Sequence, residues 1–195
     1  ASACQLACTR DSSCEGYTGY ISGPKPNAGI VAWGDSNNGG SGAPSNGTYV
    51  SIVSTQQAFA ALKDDGSITA WGHSSNGGSG APTDTGYVNI VSTLYAFAAM
   101  KADGSITAWG RSDWGGSNEP TDNGYVNIVS TQYAFAALAD DGSITAWGDS
   151  SNGGSGAPSS GTYVNVFSTQ QAFAALNASG HITAWGSSSN GGSGA

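Results

Sequence analysis

The sequence predicts an all-β repeat protein, and three observations carry that prediction. Trp33, Trp71, Trp109, Trp147 and Trp185 stand 38 residues apart with no insertion or deletion. The copies around them are nearly identical, residues 55–92 and 131–168 agreeing at 29 of 38 positions. Within each copy the apolar residues run in short strand-like segments, without the 3.6-residue stripe of an amphipathic helix. Cut after the Gly-Gly-Ser-Gly-Ala element, the units are 6–43, 44–81, 82–119, 120–157 and 158–195.

Each unit offers three strands. Tyr87 to Thr93, "YVNIVST", alternates aromatic and β-branched residues with polar ones, the pattern of a half-buried strand. Ala58 to Leu62, "AFAAL", is continuously apolar and suits a strand covered on both faces. Ser67 to Gly72, "SITAWG", follows after Asp65-Gly66, a step repeated at Asp103-Gly104 and Asp141-Gly142. Asp-Gly supplies the positive φ angles of a tight hairpin, so these two strands should pair antiparallel. A Gly/Ser loop then leads to Pro82, which cannot donate to a sheet ladder.

A lone unit of this size cannot bury both faces of its sheet, so neighbours must stack to make a core. Three hairpin-linked strands per unit fit a propeller blade, giving a β-propeller of five repeats; part of a longer β repeat stack is the alternative. The five Trp residues are the expected packing anchors. Burying ~200 Å² of each contributes roughly 5 kcal/mol before entropy costs.

Composition narrows the function. Only 9% of residues are charged, and 31 glycines with many Ser, Thr and Asn take their place. Such a neutral, polar surface points to an extracellular or cell-surface protein. Thirteen acids against five bases give a net charge of −8, and the five bases are scattered. Phosphate backbones are held by clustered Lys and Arg, so nucleic acid is not an expected partner. No apolar run approaches the ~20 residues of a membrane-spanning helix, so membrane insertion is not expected.

The residues of catalysis do not converge. His73 and His181 lie at non-equivalent positions of different units, whereas zinc needs three or four ligands together. Asp64-Asp65 and Asp140-Asp141 are adjacent pairs whose second member is explained by the turn. The loop "GGSGAP" lacks the Asp of a calcium-binding roll and the Lys of a phosphate loop. The chain is therefore read as no enzyme, with no cofactor and no metal.

The segment "AFAALKDDGSITAWGHSSNGG" resembles the repeat of the regulator of chromosome condensation family: apolar strand, Asp-Gly turn, Trp-Gly strand, Asn/Gly loop. Its 38-residue length is closer to the shorter repeats of the propeller-type β-lactamase inhibitors. The resemblance implies a propeller; relatives are usually seven-bladed, and five-bladed rings are known in the tachylectins. Units two to five carry it well and unit one weakly. The Cys-containing start, residues 1–18, faintly resembles the apple (PAN) module through Cys4, Cys8 and Cys14 in C-x3-C-x5-C-x-G-Y. Two of these cysteines could bridge and leave one over, pointing to an intermolecular bond, a free buried thiol or a partner on a missing segment.

Two glycosylation sequons stand at Asn46-Gly47-Thr48 and Asn177-Ala178-Ser179, one between units and one at a hairpin tip. The middle unit breaks the pattern, "RSDWGGSNEP" replacing "DSSNGGSGAP". It places Arg111, Trp114 and Glu119 in an otherwise small, neutral loop, where Trp114 could meet a sugar or a subunit, or cover its own blade. The leading functional expectation is a non-catalytic secreted structural or interaction repeat protein, the protomer of an extracellular filament or appendage. Its partners would be further copies or another extracellular protein. A lectin-like propeller binding glycans is the alternative, and a secreted protein inhibitor a third reading.

Overall fold

The computed structural model describes residues 29–193. Twelve strands form four three-stranded antiparallel sheets, one for each of units two to five. Unit two holds β1 (Tyr49–Ser54), β2 (Ala58–Lys63) and β3 (Ile68–Gly72); unit three holds β4 (Tyr87–Ser92), β5 (Ala96–Lys101) and β6 (Ile106–Gly110). Unit four holds β7 (Tyr125–Ser130), β8 (Ala134–Ala139) and β9 (Ile144–Gly148). Unit five holds β10 (Tyr163–Ser168), β11 (Ala172–Asn177) and β12 (Ile182–Gly186). Much of unit one, and all three cysteines, lie outside the described residues, so their pairing and the PAN likeness are untouched by the structure.

The middle strand of each sheet is the apolar run, paired on both edges and covered on both faces: Ala96 to Met100 are all buried. The first strand carries a register break after its Tyr, and the residue in the break, Val50, Val88, Val126 or Val164, turns out to solvent. The Asp-Gly hairpins form, with one difference from the expected turn. Only the Gly has positive φ, +78° at Gly66, and the Lys63 amide reaches over to the Ser67 carbonyl. The Asp instead takes the Ser67 amide and hydroxyl on its own carboxylate, at 2.9 and 2.6 Å. Those donors hold the carboxyls of Asp65, Asp103 and Asp141 below the usual range. The fifth hairpin has Ser179 at that place, and Asn177 Oδ1 accepts from the Ser179 and His181 amides instead.

Sheets join through a junction repeated along the chain. Ala58, Ala60, Leu62 and Ile68 of unit two pack against Tyr87, Ile90, Phe97 and Trp109 of unit three. The same positions make the next two cores. Trp109 lies against Phe97, and its indole N–H donates to the Gly77 carbonyl of the preceding unit at 3.1 Å. Trp71, Trp147 and Trp185 do the same with Gly39, Gly115 and Gly153. These four are 5% exposed or less, but Trp33 is 84% exposed. The anchor role expected of Trp33 is thus not seen among the described residues. Counting back the same 32 residues that separate the other four from their carbonyls reaches Ala1, outside the described residues.

Candidate functional site

Two features of the propeller face the outside with more than scaffold chemistry. The first is the central channel. Gln56 N–H donates to Leu94 O, Leu94 N–H to Gln132 O, and Gln132 N–H to Gln170 O, each at 2.9 Å. This row of backbone rungs borders an open channel of about 480 Å³ lined by neutral Ser, Thr, Gln and Leu side chains. Its walls repeat, and they carry no charge.

The second feature occurs once. In every unit a short 3-10 turn follows the Trp-Gly strand: Ser36–Asn38, Ser74–Asn76, Ser112–Trp114, Ser150–Asn152 and Ser188–Asn190. A Gly in the left-handed conformation ends each turn, and in units one to four a side chain there would also collide with a Phe ring: at Gly77 (φ +95°) a Cβ would lie 2.5 Å from the Phe97 ring. In units two to five a Thr hydroxyl ties the last turn residue down, Thr55 to Asn76 O and Thr93 to Trp114 O, both at 3.1 Å. The scaffold of the turn is thus the same whichever residue ends it.

What that residue carries differs. In unit two the Asn76 amide donates to the Gln57 side-chain carbonyl, and in unit five Asn190 donates to Gln171. In unit three both partners have changed together: Gln57 becomes Tyr95, and Asn76 becomes Trp114. Their ring centroids are 4.1 Å apart. Unit four supplies a third ring at the same repeat position as Tyr95: Tyr133, 5.0 Å from Trp114. Tyr95 and Tyr133 follow Leu94 and Gln132, so the aromatic trio sits at the margin of the channel. All three rings are half-buried.

Arg111 completes the group. At this position Asp35 and Asp149 accept from amides of their own turns, the ordinary work of a helix-capping carboxylate. Arg111 makes no such cap. Its guanidinium carbon lies 4.0 Å above the Trp114 ring and 6.0 Å from Tyr95. A guanidinium stacked flat on indole keeps its N–H edges outward. Among the described residues nothing accepts from them, and the one ion pair is Lys101 with Asp84, elsewhere on unit three. The arrangement suits a planar anion such as a carboxylate, held edge-on by Arg111 beside an apolar aromatic surface.

Glu119, the third residue singled out from this loop, does not join the group. Its Oε1 accepts from the Ala108 amide at 3.2 Å, on β6, the outer strand of its sheet. It satisfies an edge N–H that would otherwise invite another strand. Asn46 is exposed and its carbonyl accepts from Tyr49 OH at 3.1 Å; Asn177 ends β11 with its side chain in the turn. His73 and His181 stay far apart in the repeat, and no cluster of three metal-ligating side chains occurs among the described residues. The alignment of units held the signal for Tyr95 and Tyr133: both replace the Gln of units two and five.

No family model matches the chain. No curated protein matches it in sequence either. Solved structures do. The ectodomain of the Physcomitrella patens receptor kinase CR4 superposes with a TM-score of 0.57 at 20% identity, covering 75% of this chain and 41% of that one. The CRINKLY WD40 ectodomain of Arabidopsis thaliana ACR4 gives 0.54 at 16%, covering 71% and 49%. Prp20, the yeast RCC1, in complex with Kap60 gives 0.54 at 14%, covering 73% and 45%. The chain spans less than half the length of these structures. At such identities the likeness is one of fold: a propeller built of repeats like those of RCC1.

Proposed function

We propose that this chain is a non-catalytic interaction protein, working outside the cell, whose contact face is the Arg111–Trp114–Tyr95–Tyr133 group of units three and four. The observation that carries the reading is the paired exchange of Gln and Asn for Tyr and Trp, with Arg in place of a capping Asp. A duplicated scaffold needs none of these changes, because units two and five hold the same turn with a polar pair. The partner is a protein that presents an Asp or Glu carboxylate on an exposed apolar segment. Stacked aromatic rings with Arg are the side chains that dominate binding energy at protein interfaces. Protein binding is also what the neighbour Prp20 is described as doing, with Gsp1p, histones and Kap60. Two ectodomain neighbours and the sparsely charged surface support the extracellular setting.

A lectin is the second reading, and the half-buried rings favour it in part. Arg111 covers the Trp114 face on which a neutral sugar would stack, so an acidic glycan is the ligand that reading requires. A peptide array with Asp or Glu beside aliphatic residues, and the same peptides as Asn or Gln, tests the proposal alongside a glycan array. Binding is expected to the acidic peptides and to fall at least tenfold with Arg111→Ala. Binding to acidic glycans alone would favour the lectin; silence on both arrays would reject this face as the contact surface.

A further inference from the structure

The channel wall repeats from unit to unit and breaks the repeat at one place. Gln56, Gln132 and Gln170 line it from equivalent positions of units two, four and five, and unit three has Leu94 there. The backbone does not change with the side chain. Leu94 N–H donates to the Gln132 carbonyl and Leu94 O accepts from the Gln56 N–H, each at 2.9 Å, and the next rung closes in the same way with Gln132. Thr93 fixes the loop from within the chain, its Oγ1 accepting from the Tyr95 and Ala96 amides at 3.3 and 3.0 Å. Leu94 is therefore pinned with its side chain in the channel wall, half-buried, and it joins none of the three cores. The wall around it is polar. The Ser92 and Ser130 hydroxyls donate to the Ser54 and Ser92 carbonyls at 2.8 Å, while the carboxamides of Gln56 and Gln132 make no hydrogen bond among the described residues.

The odd residue adjoins the odd group. Tyr95 follows Leu94 directly, its ring lies on Trp114, and Arg111 covers Trp114. Four residues that set unit three apart from unit two thus form one connected set from the channel wall to the guanidinium. Resting on the reading of that group as a contact face, we propose that Leu94 is its apolar end. The partner's aliphatic side chain enters the channel and packs on Leu94, while its carboxylate pairs with Arg111. The ligand class is an extended peptide segment with a Leu- or Ile-sized side chain close to an Asp or Glu. Contact of the two aliphatic groups removes apolar surface from water on both sides. The backbone of Leu94 is already held by both rungs, so little freedom is lost on binding. Each flanking Gln carboxamide offers N–H donors and a carbonyl, which match the backbone groups of such a segment. A fourth Gln at this place would set a polar group against the partner's apolar one.

A double-mutant cycle on the full chain tests the contact. The probes are short end-blocked peptides carrying one Glu and one Leu at varied spacing in a Gly/Ser background, with binding followed by calorimetry. Leu94→Gln should unfold with the parent, since Gln holds this place in the neighbouring units, and should bind the tightest peptide about tenfold more weakly. Replacing the peptide's Leu by Ala should weaken binding to the parent by a similar factor and change binding to Leu94→Gln little, the mark of a direct contact. Replacing the peptide's Glu by Gln should weaken binding to both proteins alike, because that end belongs to Arg111. Leu94→Met keeps the apolar surface and should keep the affinity; an equal loss there would assign the effect to the loop and overturn the proposal. Losses that simply multiply in the cycle, or full affinity in Leu94→Gln while Arg111→Ala still weakens binding, would overturn the placement at Leu94 and leave the Arg111 contact standing. If none of the peptides binds the parent, the contact face itself is rejected, and Leu94 with it.

Discussion

The turns of units two and three share a backbone and differ in what they present. Both end in a left-handed Gly packed over a Phe ring, and in both a Thr hydroxyl holds the last turn carbonyl. Unit two then closes its surface with an Asn76–Gln57 hydrogen bond, whereas unit three lays Trp114 between two tyrosines and under a guanidinium. The difference separates residues that hold the propeller together from residues placed on it. Two tryptophans in one unit make the point: Trp109 is buried in a junction with its N–H satisfied, while Trp114 is half-buried and stacked at the surface.

The largest expected effect tests the scaffold side. Trp109→Ala should destabilise the fold by about 3–5 kcal/mol, as for other buried aromatic truncations, and Trp114→Ala by only about 1 kcal/mol, the scale of a surface aromatic pair. Chemical denaturation of both variants checks it, and equal losses would erase the distinction. Next comes the turn itself. Gly77→Ala meets both the positive φ and the Phe97 ring and should cost more than Gly80→Ala, where φ is +82° but nothing lies within 4 Å; the strained φ alone is worth roughly 1–2 kcal/mol. Thermal unfolding of the two variants gives the order.

A smaller effect distinguishes the hairpins. The carboxyls of Asp65, Asp103 and Asp141 are held below 3.8 by the Ser that follows each Gly. A depressed folded-state pKa stabilises above the unfolded value and is lost as pH falls through the folded one. Hairpins two to four should therefore loosen below about pH 3.8, while the fifth, held by the Asn177 amide, should not respond through this contact. An NMR titration should move the Ser67, Ser105 and Ser143 amides in that range and leave the Ser179 amide still. A matching shift at Ser179 would contradict the assignment.

Periodicity made the scaffold legible before any coordinates. The Trp spacing, the apolar middle strand and the Asp-Gly step are local or strictly repeated, and each found its place in the sheets. Trp33 shows the limit. Its letter and spacing match the other four, but burial depends on a carbonyl and a ring supplied by other segments, and a repeat count does not guarantee them. Trp114 was conspicuous as an exception in its loop. Its partners were not, because Tyr95 lies in another loop of the same unit and Tyr133 meets it only when the sheets of units three and four stack. Glu119 stood out for the same reason as Arg111, yet it serves a strand edge rather than the aromatic group. Charge in an odd loop marks a difference without saying which way the side chain is used.

The most direct measurement converts the turn of unit three into that of unit two, combining Tyr95→Gln, Arg111→His and Trp114→Asn, and compares stability with binding to the acidic peptides. The polar pair already works in that scaffold, so the fold should survive with stability within about 1 kcal/mol of the parent, and binding should be lost. Retained binding, or collapse of the fold, would contradict the assignment of this group to partner recognition.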